Sequence, residues 1–264
     1  MVAAPENACH DKQLTPDSQI NKGNTTERLP HNQRMASSSE FLGFPAGTQL
    51  FLAGISANND RDWFNAHRAD YEAFYVAPAL AFIAAIGPRL VAEVAPEVQF
   101  EARINGSLFR INRDIRFSRD KTPYKDHLDM WFWQGSRKGW DSPGFFFRML
   151  PGRLIVGAGM HRFGPQQLRA FRKAVIEEKA GSELAALRAR LDQLGYESGE
   201  RSKSLPRGFD PNHPRADLLR MLGLVATLET PVPAQAASPD FVDYCLGHYK
   251  AVNPINDWLR SNLV

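Results

Sequence analysis

Cysteine is nearly missing from this chain: its 264 residues contain only Cys9 and Cys245, far apart and without a second ligand at metal spacing. That excludes a disulfide scaffold, a zinc ribbon and a Cys-x-x-Cys redox pair, and it fits a reducing, cytoplasmic setting. The histidines, at 10, 31, 67, 127, 161, 213 and 248, never fall at ligand intervals, so no metal and no cofactor is expected. Long apolar runs are missing too. No stretch approaches the ~18 apolar residues of a membrane span, and no apolar segment follows a basic start near the beginning, so neither membrane insertion nor secretion is expected. The glycine-rich GAGM at 157–160 lacks the Lys-Ser/Thr of a phosphate loop, and Gly157 and Gly159 read as sites of close packing or a bulge.

An excess of one charge is also lacking. Thirty-two Lys and Arg stand against 29 Asp and Glu, for a net +3. A single run, RINGSLFRINRDIRFSRDKTPYKDH at 103–127, holds seven basic and three acidic residues, so the rest of the chain is close to neutral. A duplex-DNA binder needs phosphate contacts spread over a whole face, and nucleic-acid binding is therefore not favoured as the general function.

What is present is an apolar content of 43%, enough for one sizeable core. Residues 1–39 are polar and aperiodic, a composition that cannot bury enough surface to order itself, and folding is expected from about residue 40 to 264. Leu50, Phe51 and Ile55, then Trp63, His67, Asp70, Tyr71 and Phe74, recur at helical intervals, with Asn59 or Asp60 as N-cap. Pro78 to Val94 reads as a further helix. The period then changes. Phe100–Phe117 and Leu128–Trp133 read as extended, and GFFFRMLPGRLIVGAG reads as a hairpin turning at Pro151-Gly152. Helical spacing returns over 165–179, 182–194, 240–250 and 254–263, separated by a Pro- and Gly-punctuated loop at 203–214. Helices, then strands, then helices make a single α+β domain: a helical N-terminal third, a central mostly antiparallel sheet and C-terminal helices.

Read as a strand, residues 108–117 place Phe109, Ile111, Arg113, Ile115 and Phe117 on one face and Arg110, Asn112, Asp114 and Arg116 on the other. Arg113 breaks the apolar face and must find an acceptor, because a buried unpaired charge costs several kcal/mol. The guanidiniums of the polar face suit the bidentate geometry of phosphate or carboxylate, and Lys121 and Tyr124 in the next loop add a charge and a hydroxyl. Cross-strand ion pairing without a ligand accounts for the same pattern, and the two readings stay open.

The spacing Arg110-x-x-Arg113-Asp114-x-Arg116-Phe117-x-x-Asp120-Lys121-x-x-Tyr124 resembles the signature of the domain-of-unknown-function 2461 family. FLGFP at 41–45, NNDRDWFNAHRADYE at 58–72, GAGM and LPRGFDPNHP at 205–214 resemble that family's other blocks, in order. The resemblance implies one α+β domain from Phe41 onward and carries no reaction, substrate or cofactor.

The expected function is binding of a small anionic ligand, phosphorylated or carboxylate, in an arginine-lined pocket, with or without turnover. Arg110, Arg113, Arg116 and Lys121 hold the anion, Tyr124 donates to it, Asp114 or Asp120 orients an arginine or acts as a base, and Arg207 and His213 close the pocket from the later loop. The alternative is an interaction module recognising an acidic protein or nucleic-acid segment. Trp131, Trp133 and Trp140 near Arg137 and Lys138 could stack bases, although sharing a face with Asp129 fits core burial better. At Asn58, Asn59, Arg61 and His67, capping outweighs anion binding by free helix amides. Asp126, His127 and Asp129 could join Ser107 or Ser118 in a catalytic triad, but strand alternation would expose them. Met35 opens MASSSEFLGFP directly before the first apolar cluster, so a start there would drop the tail and spare the core. The N-terminal peptide from native cells is expected at or just after Met35, and an intact mass beginning at Met1 would refute this.

Overall fold

A computed structural model describes residues 40–135 and 142–263; the tail over 1–39, with Cys9 and Met35, and the Arg137, Lys138 and Trp140 cluster lie outside the described residues. The front of the domain is helical, as its periodicity predicts. α1 (Ala46–Ala57) turns Thr48, Phe51, Leu52 and Ile55 inward. Asp60, not Asn59, caps α2 (Arg61–Ala66), its carboxylate accepting from the Trp63 amide at 2.8 Å. α3 (Arg68–Asp70), a π-helical turn (Tyr71–Val76) and α4 (Ala77–Glu93) then run on without a break.

Pro78 stands in the first turn of α4, as the sequence predicts, and directly after the π turn. A proline has no amide to offer the carbonyl four residues back, here that of Phe74. The buried Thr48 hydroxyl donates to that carbonyl at 2.6 Å, so the orphan acceptor is met by α1 and the two helices are tied together. Arg68–Glu93 is long and apolar enough to cross a membrane by length and composition, and 56% of its most apolar window is buried inside the domain.

Six strands form one sheet: β1 (Val98–Gln99), β2 (Leu128–Gln134), β3 (Gly144–Leu150), β4 (Arg153–Met160), β5 (Glu197–Ser198) and β6 (Leu224–Pro231). Their order is β1-β2-β3-β4-β6-β5 and every neighbouring pair is antiparallel. The β3–β4 hairpin turns at Pro151-Gly152, where Gly152 takes φ +71°. Alternate residues of the sheet, among them Phe132, Phe145, Phe147, Met149 and Val156, enter the core. There Phe147 meets Phe82 of α4 at 5.4 Å between ring centroids and Phe241 of the last helix at 6.1 Å. α5 (Pro165–Ile176), α6 (Glu178–Gln193), the short α7 (Ala216–Leu219) and α8 (Phe241–Leu263) complete the domain.

Two sequence expectations need correction. α8 is one helix rather than two, although Pro254 lies inside it. The proline forfeits only the bond to the Lys250 carbonyl, and Val252, Ile255, Trp258 and Leu259 stay buried on either side. The extended reading of 100–117 also fails: beyond β1 this stretch makes only isolated bridges, Ile104–Leu108, Leu108–Met130 and Asn112–Tyr124. Polar-apolar alternation survives as far as the buried Ile111 and the half-buried Arg113 and Ile115, but Phe117, expected in the core, is 94% exposed.

Phe82 is fully buried and its ring packs against Phe41, Phe44, Phe147 and Phe241. Phe82→Ala is expected to cost about 3–5 kcal/mol, read as a lower urea midpoint at unchanged slope. A loss under about 1 kcal/mol would contradict this description of the core.

Candidate functional site

The arginine run leaves the sheet edge beside β2 and folds back on itself. Phe109 donates its amide to the Asp129 carbonyl at 3.0 Å, Arg113 to that of Pro123 at 2.9 Å, and Lys125 to that of Ile111 at 2.8 Å. This short ribbon carries a loop, 114–122, whose neck is closed by side chains. The Arg113 Nη1 donates to Asp120 Oδ2 at 2.5 Å, to the Thr122 carbonyl at 3.2 Å and to the Thr122 hydroxyl. Asp120 Oδ1 accepts from the Thr122 amide and hydroxyl at 3.0 and 2.8 Å. The Thr122 amide, with Arg113 and the Thr122 hydroxyl, brings the Asp120 carboxyl down to about 2. Across the loop Arg116 forks onto Asp114 at 2.9 and 2.7 Å and brings it to about 2, and Lys121 donates to the Ile115 carbonyl at 2.9 Å.

One wall of a cleft of about 780 Å³ is made by this ribbon and neck: Arg110, Arg113, Asp114, Asp120 and Thr122. The other comes from the α1–α2 junction, with Ser56 and Asn59. Asn59 is free for this because Asp60 does the capping. Its amide side chain accepts from the Tyr124 amide and donates to the Tyr124 carbonyl, both at 3.0 Å, and the Tyr124 ring stacks on Phe64 at 4.3 Å. The reciprocal clamp fixes Tyr124 while its hydroxyl makes no hydrogen bond to a described residue. Arg110 likewise makes no hydrogen bond or ion pair with a described residue, although its charge helps to hold Asp114 down.

At the far end lie Lys125, Asp126 and His127, backed by a buried carboxylate on β2. Asp129 accepts from Arg148 Nε and Nη2 at 2.7 and 3.0 Å, from Lys125 at 3.3 Å and shares a hydrogen bond with His127 Nε2 at 3.1 Å. His127 Nδ1 lies 2.7 Å from Asp126 Oδ1. Burial alone would raise the Asp129 carboxyl, but His127 and Arg148 hold it well below the usual carboxylate range. Burial opposes the fall of Asp126 in the same way, and the hydrogen bond with His127 outweighs it.

The expected site is thus assembled only in part. Arg110, Arg113, Asp114, Asp120 and Tyr124 line the cleft, whereas Arg116 and Lys121 are exposed on the loop beyond its neck. Arg207 and His213 do not line it. Their loop is anchored elsewhere, by Arg215, whose guanidinium donates to the Val175 and Ile176 carbonyls at the end of α5 and to Glu178 at 3.1 Å. His213 serves that anchor by accepting from the Arg215 amide at 3.0 Å. The triad with Ser107 or Ser118 does not form: Ser107 is buried and accepts from the Glu101 amide, Ser118 does not line the cleft, and Asp129 is buried rather than exposed. Of the remaining residues here, Arg148 is the one the sequence reading left out, while Asn59 was weighed there as a cap and Asp126, His127 and Asp129 as members of a triad. The Asp-His-x-Asp spacing was visible, but only the β2–β3 register, which sets Asp129 opposite Arg148, shows its partner. Among the described residues no three His, Cys, Asp or Glu side chains gather as a metal site.

A family model described as "Conserved hypothetical protein (DUF2461)" matches residues 47–258. No curated protein and no solved structure matches the chain.

The folded Asp129 pKa lies below its unfolded value of about 3.9, so its contribution to stability is full above that pH and is lost as pH falls through the folded value. Asp129→Asn, which strands Arg148 and Lys125, is expected to cost about 3–5 kcal/mol at pH 7. Between neutral pH and about pH 3 the wild type should lose more unfolding free energy than the variant, and parallel acid limbs would contradict the assignment.

Proposed function

We propose, from the premise that the chain belongs to the DUF2461 family of conserved hypothetical proteins, that its domain binds a small anionic ligand, phosphorylated or carboxylate, in the cleft between Asn59 and the arginine ribbon. The observation that carries this reading is Arg110, a guanidinium lining the cleft with no carboxylate partner among the described residues, together with a Tyr124 hydroxyl, lining the same cleft, that finds no acceptor among them. A guanidinium fork takes two oxygens of one anion and a phenol adds a third hydrogen bond. Arg113 is held by Asp120, and Asp114 by Arg116, so these pairs shape the wall rather than compete for the ligand. A volume of about 780 Å³ exceeds a bare phosphate and suits an ester with a body attached.

Support is for binding rather than turnover. Carboxylates brought to about 2 are poor proton acceptors near neutrality, and both His127 nitrogens already face carboxylates. A cytoplasmic setting belongs to this reading, with Cys245 a buried free thiol. Arg116, Lys121 and the exposed Arg119 stand outside the cleft, where they would raise the local anion concentration. One observation favours the alternative of an interaction module for an acidic protein or nucleic-acid segment: Phe117, 94% exposed at the loop tip, lies 5.9 Å beneath the Arg116 guanidinium.

A thermal-shift panel of inorganic phosphate, sugar phosphates, nucleotides and oligonucleotides separates the two. A small phosphorylated ligand at 100 times its Kd should add about 2.7 kcal/mol, a rise of several degrees. Arg110→Ala should melt like the wild type and lose that response. If no small anion stabilises the protein, or Arg110→Ala responds as the wild type does, the small-ligand reading fails. A response to oligonucleotides alone, lost in Phe117→Ala, would establish the alternative.

A further inference from the structure

The face of the sheet that bears Asp129 has its own cavity, of about 440 Å³, separate in its lining from the cleft. Register explains its shape. Across β2, β3, β4 and β6 one row reads Trp131, Phe146, Gly157, Thr227, and the next reads Trp133, Gly144, Gly159, Val225. Each row runs from aromatic side chains through glycine to a β-branched residue, so the middle of the face is a trough with an aromatic wall and an aliphatic one. A side chain cannot fill it: a Cβ on Gly157 would lie 2.3 Å from the Ala226 carbonyl oxygen, and Gly159 combines φ +124° with a 2.1 Å approach to that of Leu224. These glycines serve the close packing that the sequence suggests, and the trough is its by-product.

The row below closes one end with Asp129 and Arg148. Arg148 spends Nε and Nη2 on Asp129, while Nη1 makes no hydrogen bond to a described residue. Its guanidinium also lies 5.5 Å from the Phe146 ring centroid. The carboxylate therefore orients the guanidinium with one edge left for an acceptor, directly beside the aromatic wall. His161 lines the same cavity.

We infer that this trough is a second ligand site, for a small molecule with a flat apolar body and one anionic group, the body lying on Trp131 and Phe146 and the anion taken by Arg148. The shape selects the body and the unspent guanidinium edge selects the charge. A volume of about 440 Å³ falls within the usual range of small-molecule pockets and excludes a folded partner.

The test uses anilinonaphthalene sulfonate, a flat aromatic anion, and the neutral N-phenylnaphthylamine. One sulfonate probe per folded chain is expected, with saturable emission. Thr227→Phe, which fills the trough from its aliphatic wall, should weaken that binding at least about tenfold while melting as the wild type does. Arg148→Lys keeps a cation for Asp129 but loses the fork, so it should weaken the sulfonate severalfold and leave the neutral probe unchanged. Arg110→Ala should leave both untouched, which separates this site from the anion cleft. Equal sulfonate binding by Thr227→Phe and wild type, or its loss in Arg110→Ala, would overturn the proposal.

Discussion

The buried carboxylate of Asp129 is the group on which both cavities depend. Taking an ionised carboxylate out of water costs several kcal/mol, and the cost is offset only where hydrogen-bonded cations surround it. Here Arg148 reaches it across the β2–β3 pair, and His127 and Lys125 reach it from the start of the same strand. Lys125 and His127 line the cleft beside the arginine ribbon, and Arg148 lines the sheet-face trough. One acceptor thus orients donors that point into two different spaces. Its own strand position is held from both sides, because Phe109 binds the Asp129 carbonyl and β3 lies against the opposite edge.

The arginine loop follows the same physical rule at lower cost. Exposed pairs such as Arg116–Asp114 contribute little to stability, since water screens them, yet they fix which arginine is spent and which is not. Arg113 closes the loop neck, Arg116 braces the loop, and Arg110 is left over. In the proposed reading, selectivity for an anion rests on an inequality among guanidiniums that look alike in the run. Asn59 completes the arrangement by holding Tyr124 through its backbone, which leaves the phenol free.

Local periodicity carried most of the architecture. The amphipathic helices, the Pro151-Gly152 hairpin and the α+β order could be read because each depends on neighbours within a few residues. Arg113 was legible as the residue that breaks its pattern, and its need for a carboxylate is met by Asp120. Residues 108–117 misled because a loop pinned at alternate positions copies the period of a strand. Nothing in that period marks where the pins stop, and Phe117 lies beyond them. The separation of Arg207 and His213 from the cleft, the Asn59–Tyr124 clamp and the Asp129–Arg148 pair are long-range facts. They depend on strand register and on the Arg215 anchor, neither of which a single sequence displays.

The most direct test of the Asp129 account is a double-mutant cycle on urea unfolding, with Asp129→Ala, Arg148→Ala and the pair. The account predicts that the single variants are strongly destabilised and that the double variant recovers part of the loss, with a coupling energy above about 1 kcal/mol. Additivity within about 0.3 kcal/mol would show that the two side chains act independently, and the carboxylate would lose its place as the organising charge of both cavities.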